Sequence, residues 1–175
     1  KLLLKVPATM RFVVDGVLPK GVMGKDVILR IIGDIGFDGA TYRAMEFCGS
    51  AIRSLPMCER MTMCNMAIEA GAKNGIIAAD ETTLEYVRAR SNKPFRCFES
   101  DADAEYLSEH RYAAADLVPY VALPHAPDNL AEAAACGHIH IDRAYIGSCT
   151  GGKTEDFLAA ATILNGRRVR VDTFL

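Results

Sequence analysis

Apolar positions recur along this chain in two rhythms, one with a period near two and one with a period near 3.6. MRFVVDGVL (residues 10–18) alternates and closes at Pro19, which predicts a strand ending in a turn. GKDVILRIIGDI (24–35) sets Val27, Ile28, Ile31, Ile32 and Ile35 at helical spacing. Asp26 stands in its first turn, where a carboxylate suits the positive end of the helix dipole. RAMEFCGSAIRSL (43–55) is apolar and punctuated by glycine, predicting a short strand and a turn into Ser54. PMCERMTMCNMAIEAGAKNG (56–75) opens on Pro56 and closes on Gly71 and Gly75, the start and stop signals of a helix, with Met and Cys filling its inner face. GIIAAD (75–80) predicts a buried strand leading into a helix, DETTLEYVRARS (80–91), with a partial capping box at Asp80-x-x-Thr83.

The texture changes over 92–128, which is richer in charge and proline, and LPHAPDN (123–129) predicts a tight, proline-flanked turn. AEAAACG (131–137) follows as a short helix or linker, and then HIHIDRAYIG (138–147) as a strand. A helix from about Thr154 to Asn165 and a strand in RRVRVDTFL complete the pattern. Alternating helices and apolar strands predict a layered αβα, α/β architecture. The change of texture places a domain boundary near residue 120, giving one α/β domain over 1–119 and the opening of another over 120–175. The chain starts in strand-like KLLLKVPATMRFVVDG without an initiator Met and stops as another β-run develops, so the expectation is a piece of a longer protein.

Composition narrows the partners. With 175 residues, half of them apolar and net charge −2, the chain can bury a core. It has no run of Lys and Arg; the densest basic stretch, NGRRVR (165–170), reads as a solvated face, so no nucleic-acid partner is expected. No apolar run approaches a membrane span and no signal peptide appears, which points to a cytosolic or organellar-matrix setting with no membrane partner. The six cysteines, at 48, 58, 64, 97, 136 and 149, include no C-x-x-C and read as reduced thiols. The histidines at 110, 125, 138 and 140 do not pair with them at zinc-finger spacing, and His138-x-His140 reads as solvent-facing alternation.

Two stretches carry candidate chemistry. In IGSCTGGKTEDF (146–157), Gly147-x-x-x-x-Gly152-Lys153-Thr154 meets the P-loop pattern, yet the same residues hold Cys149 between a strand and a helix. A glycine-rich turn entering a helix offers unpaired N–H groups, which suit a phosphate and also a thiolate. A P-loop protein needs a further strand ending in a Mg²⁺-holding Asp, and most of its sheet follows the loop. Here only residues 155–175 follow, supplying one strand, so nucleotide binding through Gly147–Thr154 is the less supported alternative. In MTMCNMAIEAGAKNG (61–75), Asn65 and Glu69 lie four apart on one helix face. The small and apolar neighbours Met66, Ala67, Ile68, Ala70 and Gly71 make that polar strip narrow, as suits a cleft; a solvated pair is the alternative.

These stretches, with KVPATMRF (5–12), KDVILRIIGDIGFDGATYRAMEF (25–47), ERMTMCNMAIEAGAKNGII (59–77), PHAPDN (124–129) and IDRAYIGSCTGGKTEDF (141–157), resemble the aconitase superfamily, in particular its isopropylmalate-isomerising branch. The resemblance implies an aconitase-type α/β domain from a 4Fe-4S hydro-lyase that eliminates and re-adds water on a hydroxy-dicarboxylate or hydroxy-tricarboxylate. It implies that Cys149 is one of three cluster thiolates, with Ser148 and Thr150 beside the cluster. It also implies that Glu69 is a carboxylate near the substrate hydroxyl and Asn65 an amide close to the cluster. A separate small subunit or swivelling domain is the implied partner. The family's other two thiolates, from a C-x-x-C, and its His and Asp motifs are not in these residues, so the chain alone is expected to be inactive, with its other five cysteines as packing thiols. Relatives acting on citrate, homocitrate or citramalate remain alternatives, because the groups that read the substrate side chain lie elsewhere.

Overall fold

A computed structural model describes residues 2–174. The chain divides after Ala133 into two compact units. The first is built on a parallel sheet of β1 (Thr9–Asp15), β2 (Ala44–Cys48), β3 (Asn74–Ile76) and β4 (Ser108–Ala113), in the spatial order β3-β2-β1-β4. The register places Phe12 of β1 opposite Phe47 of β2 and His110 of β4. Four helices accompany the sheet: α1 (Gly24–Ile35), α2 (Ser50–Ser54), α3 (Met57–Met66) and α4 (Glu81–Arg88).

The alternation in the strands and the 3.6-residue stripe of α1 solve one packing problem. Met10, Phe12 and Val14 of β1 and Met45 and Phe47 of β2 share a core with Ile28, Ile31 and Ile32 of α1 and with Met63 and Met66 of α3. Full burial of an Ile, Phe or Met side chain is worth about 1.5–3 kcal/mol, so this layer fixes α3 firmly against the sheet. Position 75 must be glycine for the same reason: a Cβ there would lie 2.8 Å from Cys64 Cα, where β3 meets α3. The other sheet face carries polar side chains: Arg11 of β1, Glu46 and Cys48 of β2 and Glu109 of β4.

Several elements depart from the sequence pattern. The helix expected over 56–75 leaves the α conformation after Met66 and continues as one 3-10 turn, Ala67–Ala70, before β3. β4 arises inside the charged stretch 92–128; its burial alternates strictly along an exposed sheet edge, which tolerates Glu109 and Arg111 as a central strand would not. The turn 123–129 joins a hairpin, β5 (Tyr120–Ala122) against β6 (Leu130–Glu132). This hairpin belongs to the first unit, because Tyr120 is buried in its core and donates its N–H to Asp26 Oδ1 at 2.8 Å. The division therefore falls at 133/134 and not near 120.

The second unit holds β7 (Arg143–Tyr145), α5 (Thr154–Leu164) and β8 (Asp172–Phe174), with β7 and β8 parallel. This is a single strand, helix, strand crossover.

Candidate functional site

Asn65 and Glu69 lie on either side of a change in helix type. Asn65 is on the last turn of α3 and exposed; Glu69 is half-buried on the 3-10 turn that follows. Glu69 Oε2 is buried and has no hydrogen-bond partner, alone in this among the buried side-chain nitrogens and oxygens of the described residues. A buried acceptor left unpaired costs about 1–3 kcal/mol, so its retention calls for a partner outside this set, such as water, a ligand or further polypeptide.

The frame around Glu69 is rigid. Gly71 ends the 3-10 turn in the left-handed conformation, φ +80°, and donates its N–H to Ile68 O at 2.8 Å, while Ala72 N–H reaches Ala67 O at 3.2 Å. The loop from α1 to β2 backs this turn, with Ala40 N–H donating to Ala70 O (2.9 Å) and Tyr42 N–H to Gly71 O (3.2 Å). At the other end of α3, buried Arg60 forms a bidentate pair with Asp80, at 2.6 and 2.8 Å, and donates to Leu55 O and Arg53 O. Asp80 also caps α4 by accepting from Thr83 N–H. The Arg60 hydrogen bonds hold the Asp80 carboxyl below its usual range. Burial pushes the Cys64 thiol up to about 11, so it stays a protonated packing group at neutral pH.

Cys149 is exposed in the second unit, on the loop between β7 and α5. The loop folds on Ser148, a non-glycine at φ +125°, whose Oγ accepts from Thr150 N–H (3.3 Å) and Gly151 N–H (3.1 Å) and lies 3.1 Å from Thr150 Oγ1. The structure therefore brings Ser148, Cys149 and Thr150 together on one turn. Lys153 points back: its ammonium donates to Thr150 O at 2.5 Å and pairs with Asp156 Oδ2 at 3.2 Å, while Asp156 also accepts Lys153 N–H at 3.0 Å. Two of the amides a P-loop would turn to phosphate, and the lysine that would reach it, are thus engaged within the loop, which starts a helix.

Sequence reasoning missed a further polar cluster. On the open sheet face Arg11 Nε–H donates to Cys48 Sγ at 3.3 Å and Arg11 Nη1 to Glu109 at 3.3 Å. Glu46 accepts from Ser100 Oγ (2.5 Å) and Tyr106 Oη (3.1 Å), and the Arg11 guanidinium stands over the Tyr106 ring. The signal was the odd-numbered polar positions of β1 and β4, invisible until β4 is known to be a strand. The interlock of Gly71 with the 36–43 loop was also missed, since Gly71 alone reads only as a helix stop. Among the described residues no group of three or more His, Cys, Asp or Glu could hold a metal ion.

A parallel α/β sheet with its helices, followed by a βαβ unit carrying a glycine-rich cysteine loop, places the chain among layered α/β proteins. The sequence profile of the aconitase family (aconitate hydratase) matches residues 1–136, and the chain belongs to that family. It is 55% identical over 177 residues to the chloroplastic 3-isopropylmalate dehydratase large subunit of Arabidopsis thaliana, covering all of this chain and 35% of that protein. It is 53% identical over 165 residues to the 3-isopropylmalate dehydratase large subunit of Heliobacterium modesticaldum, covering 94% of this chain and 39% of that protein. A probable methanogen homoaconitase large subunit from Methanothermobacter thermautotrophicus is 49% identical over 167 residues, covering 95% of this chain and 39% of that protein. The chain thus spans well under half the length of these relatives.

Proposed function

We propose that this chain is part of a hydro-lyase that interconverts 2-isopropylmalate and 3-isopropylmalate by removing and re-adding water, a step of leucine biosynthesis. The observation that carries the reading is Glu69 Oε2, a buried carboxylate oxygen with an open hydrogen-bonding valence on a rigid turn. The names of the relatives support this substrate class. The words "large subunit" in those names support a small-subunit partner. The setting is the cytoplasm or an organellar matrix, in keeping with a chloroplastic relative and with no helix of the described residues long and apolar enough to cross a membrane. A homoaconitase activity is the second reading, favoured by the methanogen relative.

A 4Fe-4S cluster fits these residues as one ligand of a larger set. Cys149 offers an exposed soft sulfur donor on a loop ordered by Ser148 and Thr150, and in this reading the further thiolates come from beyond the described residues. When bound, such a cluster would supply a Lewis acid for hydroxyl and carboxylate oxygens.

The chain's own contribution centres on a proton. In elimination the Glu69 carboxyl gives a proton to the departing hydroxyl, which leaves as water while a base beyond the described residues takes the carbon-bound proton. Because re-addition retraces elimination, the same oxygen takes the proton from water that returns as hydroxyl, at either carbon. A half-buried position strengthens that interaction by excluding competing water. Asn65, exposed one turn earlier on α3, offers a further amide for hydrogen bonding.

The test is Glu69→Gln in the complete protein with its partner subunit. The amide keeps the shape but cannot take a proton, so turnover is expected to fall about 10²–10⁴-fold with iron content unchanged. Near-normal turnover with a full cluster would remove the carboxylate from the reaction.

A further inference from the structure

Glu69 Oε2 has no hydrogen bond to hold it, so the direction of the carboxylate is set by packing and by the backbone that carries it. On the N-terminal side that backbone is fixed by Met63 and Met66, both buried in the core. On the C-terminal side it is fixed by two interlocked turns. Ala70 O and Gly71 O, successive carbonyls immediately after Glu69, accept from Ala40 and Tyr42 of the loop between α1 and β2.

The interlock leaves no room at position 71. A Cβ there would lie 2.8 Å from Thr41 Oγ1 and 3.2 Å from Thr41 Cα, and φ is +80°. Thr41 cannot readily yield, since its hydroxyl and its N–H both donate to Asp38 O, at 2.6 and 3.0 Å. Its neighbour Tyr42 is held at φ +55°, a left-handed conformation that is costly for a bulky L-residue. That cost is borne where the Tyr42 N–H reaches Gly71 O and the Lys73 ammonium sits 4.5 Å over the Tyr42 ring. A strained residue is thus locked against the turn that presents the unpaired carboxylate.

We propose that Gly71, seated against Thr41, is a positioning residue for Glu69; this rests on the assignment of Glu69 above. Its bare Cα lets the two turns close to the distance that sets where Oε2 stands, so any side chain at 71 moves the carboxylate without touching the reaction itself. Displacements near 1 Å in a reacting group cost about a hundredfold in rate.

The experiment uses the complete protein with its partner subunit and cluster, comparing Gly71→Ala with Glu69→Gln. Gly71→Ala is expected to lower kcat about 10–100-fold with KM within about threefold and iron content unchanged. The Ala40 and Tyr42 amides should exchange hydrogen at least about tenfold faster, since both bonds cross the interlock. Adding Thr41→Gly to Gly71→Ala removes the nearer clash and should restore about tenfold of the lost kcat. If Gly71→Ala does not fold, Thr41→Ala alone loosens the lock without a clash, and a kcat drop of about threefold or more at constant KM is expected. Normal kcat in a folded Gly71→Ala, or in Thr41→Ala where that substitutes for it, overturns the positioning role while an inactive Glu69→Gln leaves the function reading intact. A kcat loss that merely tracks lost folded or cluster-loaded protein overturns it as well. Normal turnover in Glu69→Gln overturns the function reading, and the positioning role with it.

Discussion

Arg60 is 2% exposed, yet each of its guanidinium nitrogens has an acceptor. The bidentate pair with Asp80 is what makes a buried cation tolerable on a helix that also carries Asn65 and leads to Glu69. Asp80→Ala leaves that cation with two backbone carbonyls and the Thr83 hydroxyl and strips the cap from α4, so unfolding in urea at pH 7 should show a loss of about 2–4 kcal/mol. The pH dependence has a definite sign. The folded Asp80 carboxyl is depressed by its hydrogen bonds to Arg60, so its contribution is fully present above the unfolded carboxylate range, near about pH 4, and fades as pH falls through the lower folded value. The difference in stability between wild type and Asp80→Ala should therefore shrink on acidification below about pH 4 and stay flat from about pH 5 to 7. A difference that is constant down to about pH 2 would mean the pair contributes through packing and not through charge.

At the scale of elements, α1 shows both what periodicity reveals and where it stops. Its limits and its apolar stripe follow from the 24–35 pattern, and Asp26 was legible as a first-turn acid. What no local pattern shows is that Asp26 uses both oxygens, Oδ2 on Met23 N–H at 2.7 Å and Oδ1 on Tyr120 N–H at 2.8 Å, tying the helix start to a hairpin far along the chain. Asp26→Ala removes the cap and leaves the Tyr120 amide buried without an acceptor. A loss of about 2–4 kcal/mol is expected from thermal or urea unfolding, with Asp26→Asn intermediate because one acceptor remains. A change under about 0.5 kcal/mol would place Asp26 among ordinary surface acids. The illegible elements share a cause, since their logic is tertiary. β4 is an edge strand whose Glu109 and Arg111 face outward, so it lacks the apolar run that marks a strand. The helix over 56–75 breaks where β3 needs Gly75 close to Cys64 and Gly71 close to Thr41, and both glycines looked like mere stops. The candidate site was legible for a different reason. Asn65, Glu69 and Cys149 stand out as polar or reactive groups in apolar or glycine-rich surroundings, whereas the turn that aims Glu69 is made of backbone atoms that leave no side-chain signature.

At the scale of the whole molecule, the chain holds Glu69 in its first unit and Cys149 in its second, and spans 35–39% of the relatives quoted above. Cluster assembly gains its free energy from deprotonated ligands already held in place, so a partial ligand set binds far more weakly than a complete one. Among the described residues Cys149 belongs to no metal-binding group, and its loop spends its nearby polar atoms on itself, with Ser148 Oγ accepting two amides and Lys153 paired to Asp156. The isolated 175-residue chain, purified without oxygen and supplied with iron and sulfide, should therefore carry well under one cluster per chain and lack the visible charge-transfer band. Cys149→Ser should leave that result unchanged, because a single thiolate was never sufficient. The informative contrast is the full-length protein treated in parallel, where the same substitution should abolish or destabilise a cluster that the wild type holds. A stoichiometric cluster on the isolated chain that disappears with Cys149→Ser would show that these residues already contain a complete ligand set, and the proposed reliance on thiolates from elsewhere would fall.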